Sequence, residues 1–226
     1  MENYKIEKAP SYYLQTYNSI KEMIFNGVLK PGDRIYESKL ASEFQISRSP
    51  VREAIRSLEK DGLLLLDSKS KITVYQPTKT DIENIYECRQ ALESQAVRLT
   101  TRKASDKELE EIDSILLEAQ RNIDNFDDNL IKTIISLNTQ FHNLILNYCQ
   151  NNRLQKQSND LSILTYFYRS IDVYEHDRIM DIFNYHLEIF HYIKQRDEEK
   201  SAQTMYNHIG NDLKHLKDIL SMECTI

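Results

Sequence analysis

From Pro31 to Leu63 two short helical patterns are joined by a three-residue turn, and this spacing constrains the fold more than any other feature of the 226 residues. Leu40, Ala41 and Phe44 mark the apolar side of the first pattern, Gln45-Ile46-Ser47 the turn, and Val51, Ile55 and Leu58 the packed side of the second. Arg48, Arg52, Arg56 and Lys60 recur every four residues and form a cationic stripe on a neighbouring face of the second helix. Ser47 or Ser49 suits its cap, Pro50 suits its first turn, and Gly62 ends it. An isolated stripe of this kind is more often a solvated face. With a packing helix and a turn before it, the pattern is a helix-turn-helix whose second helix can reach phosphates and guanine edges in a DNA major groove.

Upstream, Leu14, Tyr17, Ile20, Ile24 and Phe25 predict a helix over about residues 11 to 26, ended by Gly27 and the Pro31-Gly32 turn. Downstream, Leu63 to Leu66 and Ile72 to Tyr75 predict a β-hairpin with Asp67-Ser68-Lys69-Ser70-Lys71 at its tip, a wing beside the helices. Lys69 and Lys71 there read either as contacts to the DNA backbone or as an ordinary polar loop.

Residues 11 to 75 resemble the DNA-binding domain of the GntR family of bacterial transcription regulators. The shared pattern is the Pro31-Gly32 turn, the Leu40-Ala41 pair, Ser47-Arg48-x-Pro50-Val51-Arg52-x-Ala54, and Leu58-x-x-x-Gly62-Leu63. The resemblance implies that Ser38, Ser47, Arg48, Ser49 and Arg52 contact DNA. The wing departs from the pattern, since family wings generally carry glycine at the tip and Ser68 to Lys71 contains none.

Charge divides the chain where the motif ends. Residues 1 to 77 hold 12 Lys and Arg against 10 Asp and Glu, and the remainder holds 17 against 25, so only the first part suits a polyanion. Gln76-Pro77-Thr78-Lys79 reads as the linker, which sets a DNA-binding domain at 1–77 and a second domain at 78–226. Cys88, Cys149 and Cys224 are too few and too scattered for a disulfide framework or a cysteine metal cluster. No apolar run is long enough to cross a bilayer and no signal-peptide pattern opens the chain, so a cytoplasmic protein is expected.

Beyond the linker the pattern is almost continuous helix, with no glycine between Gly62 and Gly210. Breaks near Ser105-Asp106, 125–129, Gln150 to Asn152, 173–177 and Arg196-Asp197 leave about six helices. The fold expected is therefore mainly α: an N-terminal winged helix-turn-helix and a C-terminal all-helical bundle. Ile82, Ile85, Tyr86, Leu92 and Val97 are expected in its core. Asn138 and His142 lie one turn apart, and His186 and His208 are placed to share a level on consecutive helices. Three imidazoles and one oxygen suit a borderline divalent ion such as zinc or nickel; ordinary structural histidines are the competing reading.

Residues 81 to 216 resemble the FCD ligand-binding domain that accompanies this DNA-binding type in the FadR-like branch. The matching signatures are Arg89-x-x-Leu92-Glu93, Asn138-x-x-Phe141-His142, Asn151-x-x-Leu154, His186-x-x-Ile189, and Asp197 leading to Ala202 and His208. Metal-binding members commonly use Asp, His, His and His, and here Asn138 stands where Asp is usual. The resemblance implies a small organic acid with its carboxylate on the ion and its tail among helix side chains; Arg89 and Arg169 are candidates for a second anchor, since a guanidinium matches a carboxylate in charge and fork geometry. Arg89 has a second reading, as the ion-pair partner of Glu93 one turn on.

Taken together, these patterns predict a ligand-responsive repressor or activator that binds a palindromic duplex operator as a homodimer, with loss of DNA binding on ligand as the default direction. The alternative is a DNA-binding regulator whose helical domain only dimerises. An enzyme is not expected: there is no nucleophile–base set or phosphate-binding glycine loop, and Glu188-x-x-His191 lacks the second such pair that a di-iron bundle needs.

Overall fold

A computed structural model of the chain describes residues 10–124, 130–171 and 175–223. It divides into two compact units between Pro77 and Thr78.

In the first unit, α1 (Tyr12–Phe25) starts at Ser11, whose hydroxyl accepts from the Leu14 amide. Its buried stripe is Thr16, Ile20 and Ile24, and Leu14, expected inside, is exposed. Tyr13 and Tyr17 instead hydrogen-bond across the unit, to the Ser57 hydroxyl (2.9 Å) and the Asp61 carboxylate (2.7 Å).

Helix α2 (Glu37–Glu43) buries Leu40 and Ala41 and gives way to a turn in which Gln45 takes a left-handed backbone, φ 55°. Helix α3 (Arg48–Lys60) buries Val51, Ala54, Ile55 and Leu58. Ser47 occupies its cap position, yet its side chain makes no capping bond. The helix stops at Gly62, whose φ of 83° only glycine adopts readily.

A three-stranded antiparallel sheet completes the unit, with β1 (Arg34–Ile35), β2 (Leu64–Leu66) and β3 (Ile72–Val74) in the order β1-β3-β2. The hairpin was expected; β1, which pairs Ile35 with Ile72, was not, because two residues carry no alternation to read. The glycine-free wing tip is built another way. Ser70 takes the left-handed backbone itself, φ 60°, and the Asp67 carboxylate accepts from the amides of Lys69 and Lys71, both at 2.8 Å. Asp67→Ala is therefore expected to loosen the tip by about 1–2 kcal/mol, two hydrogen bonds' worth, with faster amide exchange at Lys69 and Lys71. Unchanged exchange would contradict this account of the wing.

The second unit has six helices among the described residues: α4 (Lys79–Lys103), α5 (Asp106–Asp124), α6 (Leu130–Tyr148), α7 (Asn152–Ile171), α8 (His176–Lys194) and α9 (Glu198–Glu223). The breaks expected at Ser105, Gln150 and Arg196 are present, whereas 125–129 and part of 173–177 fall outside the described residues. Without glycine to end helices, Gln150 and Arg196 adopt the left-handed backbone, φ 51° and 58°. Helix α4 is central, touching α6, α7, α8 and α9. Ile82, Ile85, Tyr86 and Val97 are buried on it as expected, but Leu92 is only half-buried. At that level the buried face of α4 is polar, carrying Arg89, Gln90 and Glu93. Gly210 on α9 permits the close approach there, for a Cβ at this position would stand 3.0 Å from the Gln90 amide nitrogen.

Candidate functional site

In the first unit, Ser38, Ser47, Arg48, Ser49, Arg52 and Lys69 are candidates for DNA contact, and Arg48, Ser49, Arg52 and Lys69 are exposed. Arg48, Arg52, Arg56 and Lys60 form an exposed stripe on α3, on a face next to the buried Val51, Ile55 and Leu58. A groove brings Ser38 and Arg48 together with Arg34, Ser70 and Lys71, joining the starts of α2 and α3 to the wing. Arg52 donates from Nε to Glu37 at 3.2 Å, an exposed pair weak enough for a phosphate to displace.

In the second unit, His142 on α6, His186 on α8 and His208 on α9 converge. The Nε2 of His208 stands 3.2 Å from that of His186 and 3.3 Å from that of His142, and all three rings are buried. The Phe141 ring stacks on His186 at 4.1 Å and fixes its plane. His142 is oriented from behind, since its Nδ1 donates to Glu93 Oε2 at 2.5 Å and Nε2 keeps its lone pair toward the other two.

Burial pushes all three imidazoles toward the neutral form. His142 is lowered by it although Glu93 opposes the shift, His186 lies well below the usual range, and His208 is pushed down to about 3. Neutral rings present lone pairs. Around an ion with nitrogen ligands at about 2.0–2.1 Å, tetrahedral geometry separates the nitrogens by about 3.3 Å, which the two spacings to His208 match. The Asn138 Oδ1, one turn before His142, is buried with no hydrogen-bond partner among the described residues and shares a cavity lining with Phe141 and His186. An orphaned buried oxygen beside three convergent imidazole nitrogens fits a cation.

The same burial gives a stability prediction for the metal-free protein. The unfolded histidines take up protons near pH 6.5 and the folded ones only at lower pH, so their contribution is intact above about 6.5 and lost as pH falls toward about 3. The urea midpoint should be lower at about pH 5 than at about pH 7, and equal midpoints would contradict neutral buried rings.

Arg89 and Arg169 are both buried near the triad. The ion-pair reading of Arg89 is correct: its Nε donates to Glu93 at 2.8 Å, and the guanidinium lies over the Tyr86 ring. Its Nη1 and Nη2 nevertheless have no hydrogen-bond partner among the described residues. Arg169 donates to the Thr139 hydroxyl at 3.0 Å. Burial opposes ionisation of Glu93, but Arg89 and His142 outweigh it and hold the carboxyl well below its usual range. Three residues of this cluster escaped sequence reasoning in these roles: Glu93 as the support of His142, and the buried pair Arg178 and Asp212, joined at 2.7 Å. Asp212 follows His208 by one helical turn, and that spacing was the available signal.

A winged helix-turn-helix joined to a helical unit with a buried histidine cluster defines a two-domain DNA-binding regulator. Known proteins agree. The model for bacterial regulatory proteins of the gntR family matches residues 12–74, and that for the FCD domain matches residues 84–211. The HTH-type transcriptional regulator YdhC of Bacillus subtilis (strain 168) is 38% identical over 220 residues, 97% of each chain. The Nta operon transcriptional regulator of Aminobacter aminovorans is 30% identical over 193 residues, 85% of this chain and 87% of its own. Among solved structures, Escherichia coli McbR/YncC superposes with a TM-score of 0.74 at 24% identity, covering 94% of this chain and all of that one. The chain belongs to the GntR family of bacterial transcription regulators, with an FCD domain after its DNA-binding domain, and it is a regulator rather than an enzyme.

Proposed function

We propose that this regulator is a repressor controlled by a small carboxylic acid bound in its helical domain, spanning residues 78–226. His142, His186 and His208, with Asn138, would hold a divalent ion, for which three nitrogens and one oxygen favour zinc or nickel. Bound there, the ion would supply a Lewis-acidic positive charge that attracts a carboxylate. The residues of the chain then set the pose. Arg89, with two buried nitrogens lacking partners, is the first anchor for the acid, and Arg169 from α7 is the second. The observation that carries this reading is the convergence of three buried, neutral imidazoles through their Nε2 atoms.

The DNA-binding domain, residues 1–77, would set α3 in the major groove with Arg48, Arg52, Ser47 and Ser49. Ser38 from α2 and Lys69 from the wing would touch the backbone on either side. The Ser47 hydroxyl, not used for capping, is available to a phosphate. A homodimer in the cytoplasm would place two such helices on a palindrome with half-sites about one turn apart. No described helix is long and apolar enough to cross a membrane. Acid binding in one unit need change operator affinity by only about 5–150-fold to give control.

Selection of duplexes from random DNA, followed by anisotropy titrations with a panel of carboxylic acids, tests this reading. A palindromic operator and an acid that weakens its binding, with the effect lost in Arg89→Met, are expected. If no acid shifts either operator affinity or melting temperature, the helical domain is a dimerisation module only.

A further inference from the structure

The charge buried around the three histidines is unevenly distributed. Arg89, Arg169 and Arg178 are buried, and each bears electrostatically on members of the triad. The imidazoles and Asn138 bring no negative charge to offset them. A cation among these guanidinium groups needs a carboxylate close to it.

Two buried carboxylates are described there, and they face different ways. Glu93 has one oxygen on Arg89 Nε and the other on His142 Nδ1, the side of that ring turned from the triad. Asp212 lies on the triad side. It is 5% exposed, follows His208 by one turn of α9, and accepts from Arg178 Nη2 through Oδ1 at 2.7 Å. Its Oδ2 stands 3.9 Å from His208 Nε2, the nitrogen that faces His142 and His186. Asp212 therefore stands beside the cluster, outside the three residues whose ligand atoms gather within 4.8 Å of one another.

We propose that Asp212, steered by Arg178, is the counter-anion of the cation site: beside His208 it would supply the negative charge that Asn138 lacks. The proposal rests on the metal-binding reading of the triad. It makes Asp212 a positioning residue and explains how an amide at position 138 is compatible with holding a divalent ion.

Zinc and nickel affinities, measured by competition with a chromogenic chelator on the full-length protein, test it. Asp212→Asn should weaken binding by about tenfold or more, as loss of a supporting partner of a metal site does, and Asn138→Ala should cost less. Adding Asn138→Asp to Asp212→Asn should restore affinity to within about threefold of wild type, because the carboxylate has only moved. A purely structural role for Asp212 would not be rescued in this way. Melting of the metal-free proteins reports folding, and Asp212→Ser takes the place of Asp212→Asn if the latter melts below the assay temperature. Unchanged affinity in the folded Asp212 variant, or a loss that Asn138→Asp does not restore, overturns the proposal while leaving the metal reading intact. Failure of the wild-type protein to bind either ion overturns both.

Discussion

Glu93→Ala is expected to destabilise the helical unit by about 3–5 kcal/mol, the loss seen when one member of a buried ion pair is removed. Both Glu93 oxygens are engaged in a site with almost no solvent access, one with Arg89 Nε and one with His142 Nδ1. Without the carboxylate, a buried guanidinium that already has two unpartnered nitrogens keeps its charge with no anion bonded to it. The second effect is on His142, which loses the acceptor that fixes its tautomer, so metal affinity should fall by about 10–100-fold. Urea unfolding of the full chain measures the first effect and chelator competition the second. Glu93→Gln, which keeps the shape and an acceptor oxygen, should fall between wild type and Glu93→Ala in both. A stability loss under about 1 kcal/mol in Glu93→Ala would mean that Arg89 and His142 find other partners, against this account of the cluster.

Arg48→Ala is expected to lower operator affinity by about 1–3 kcal/mol, or roughly 5–150-fold, without changing the unfolding midpoint. The side chain is exposed at the first turn of α3 and lines the groove shared with Ser38 and the wing, so its removal leaves no cavity. Arg52→Ala should lose a similar amount less the small cost of giving up the Glu37 pair, which DNA binding must break. The salt dependence separates their roles. Removing a side chain that binds phosphate reduces the slope of log affinity against log salt by about 1, whereas removing one that reads guanine relaxes sequence preference at one position. Equal loss of operator and effector binding in either variant would indicate misfolding and count against the assignment of α3.

Helix α3 was legible because its two faces follow a single local period, with Val51, Ile55 and Leu58 inside and four basic residues outside. The histidines were legible for a related reason, since each lies on a long helix whose spacing fixes its level. What joins them was not. His142 and Glu93 are 49 residues apart in sequence, and Arg178 and Asp212 are 34 apart, so no local period links them. Periodicity also misplaced Leu92, which is half-buried, because apolar spacing cannot show that a buried face is built from Arg89 paired with Glu93 and Gln90 bonded to the Tyr206 carbonyl. Likewise, β1 is two residues recruited by the edge of β3, a tertiary pairing without a local signal. The wing tip was harder to read for the opposite reason, for Ser70 and Asp67 achieve together what a single glycine would have announced.

The most direct test of a metal-dependent effector site is elemental analysis of the untagged protein purified without chelator, with His142→Ala alongside. The arrangement of the three imidazoles predicts close to one zinc or nickel per chain in the wild-type protein and little in the variant. No metal in either protein, or equal metal in both, would contradict the site, and would leave Arg89 and Arg169 to bind an acid without an ion.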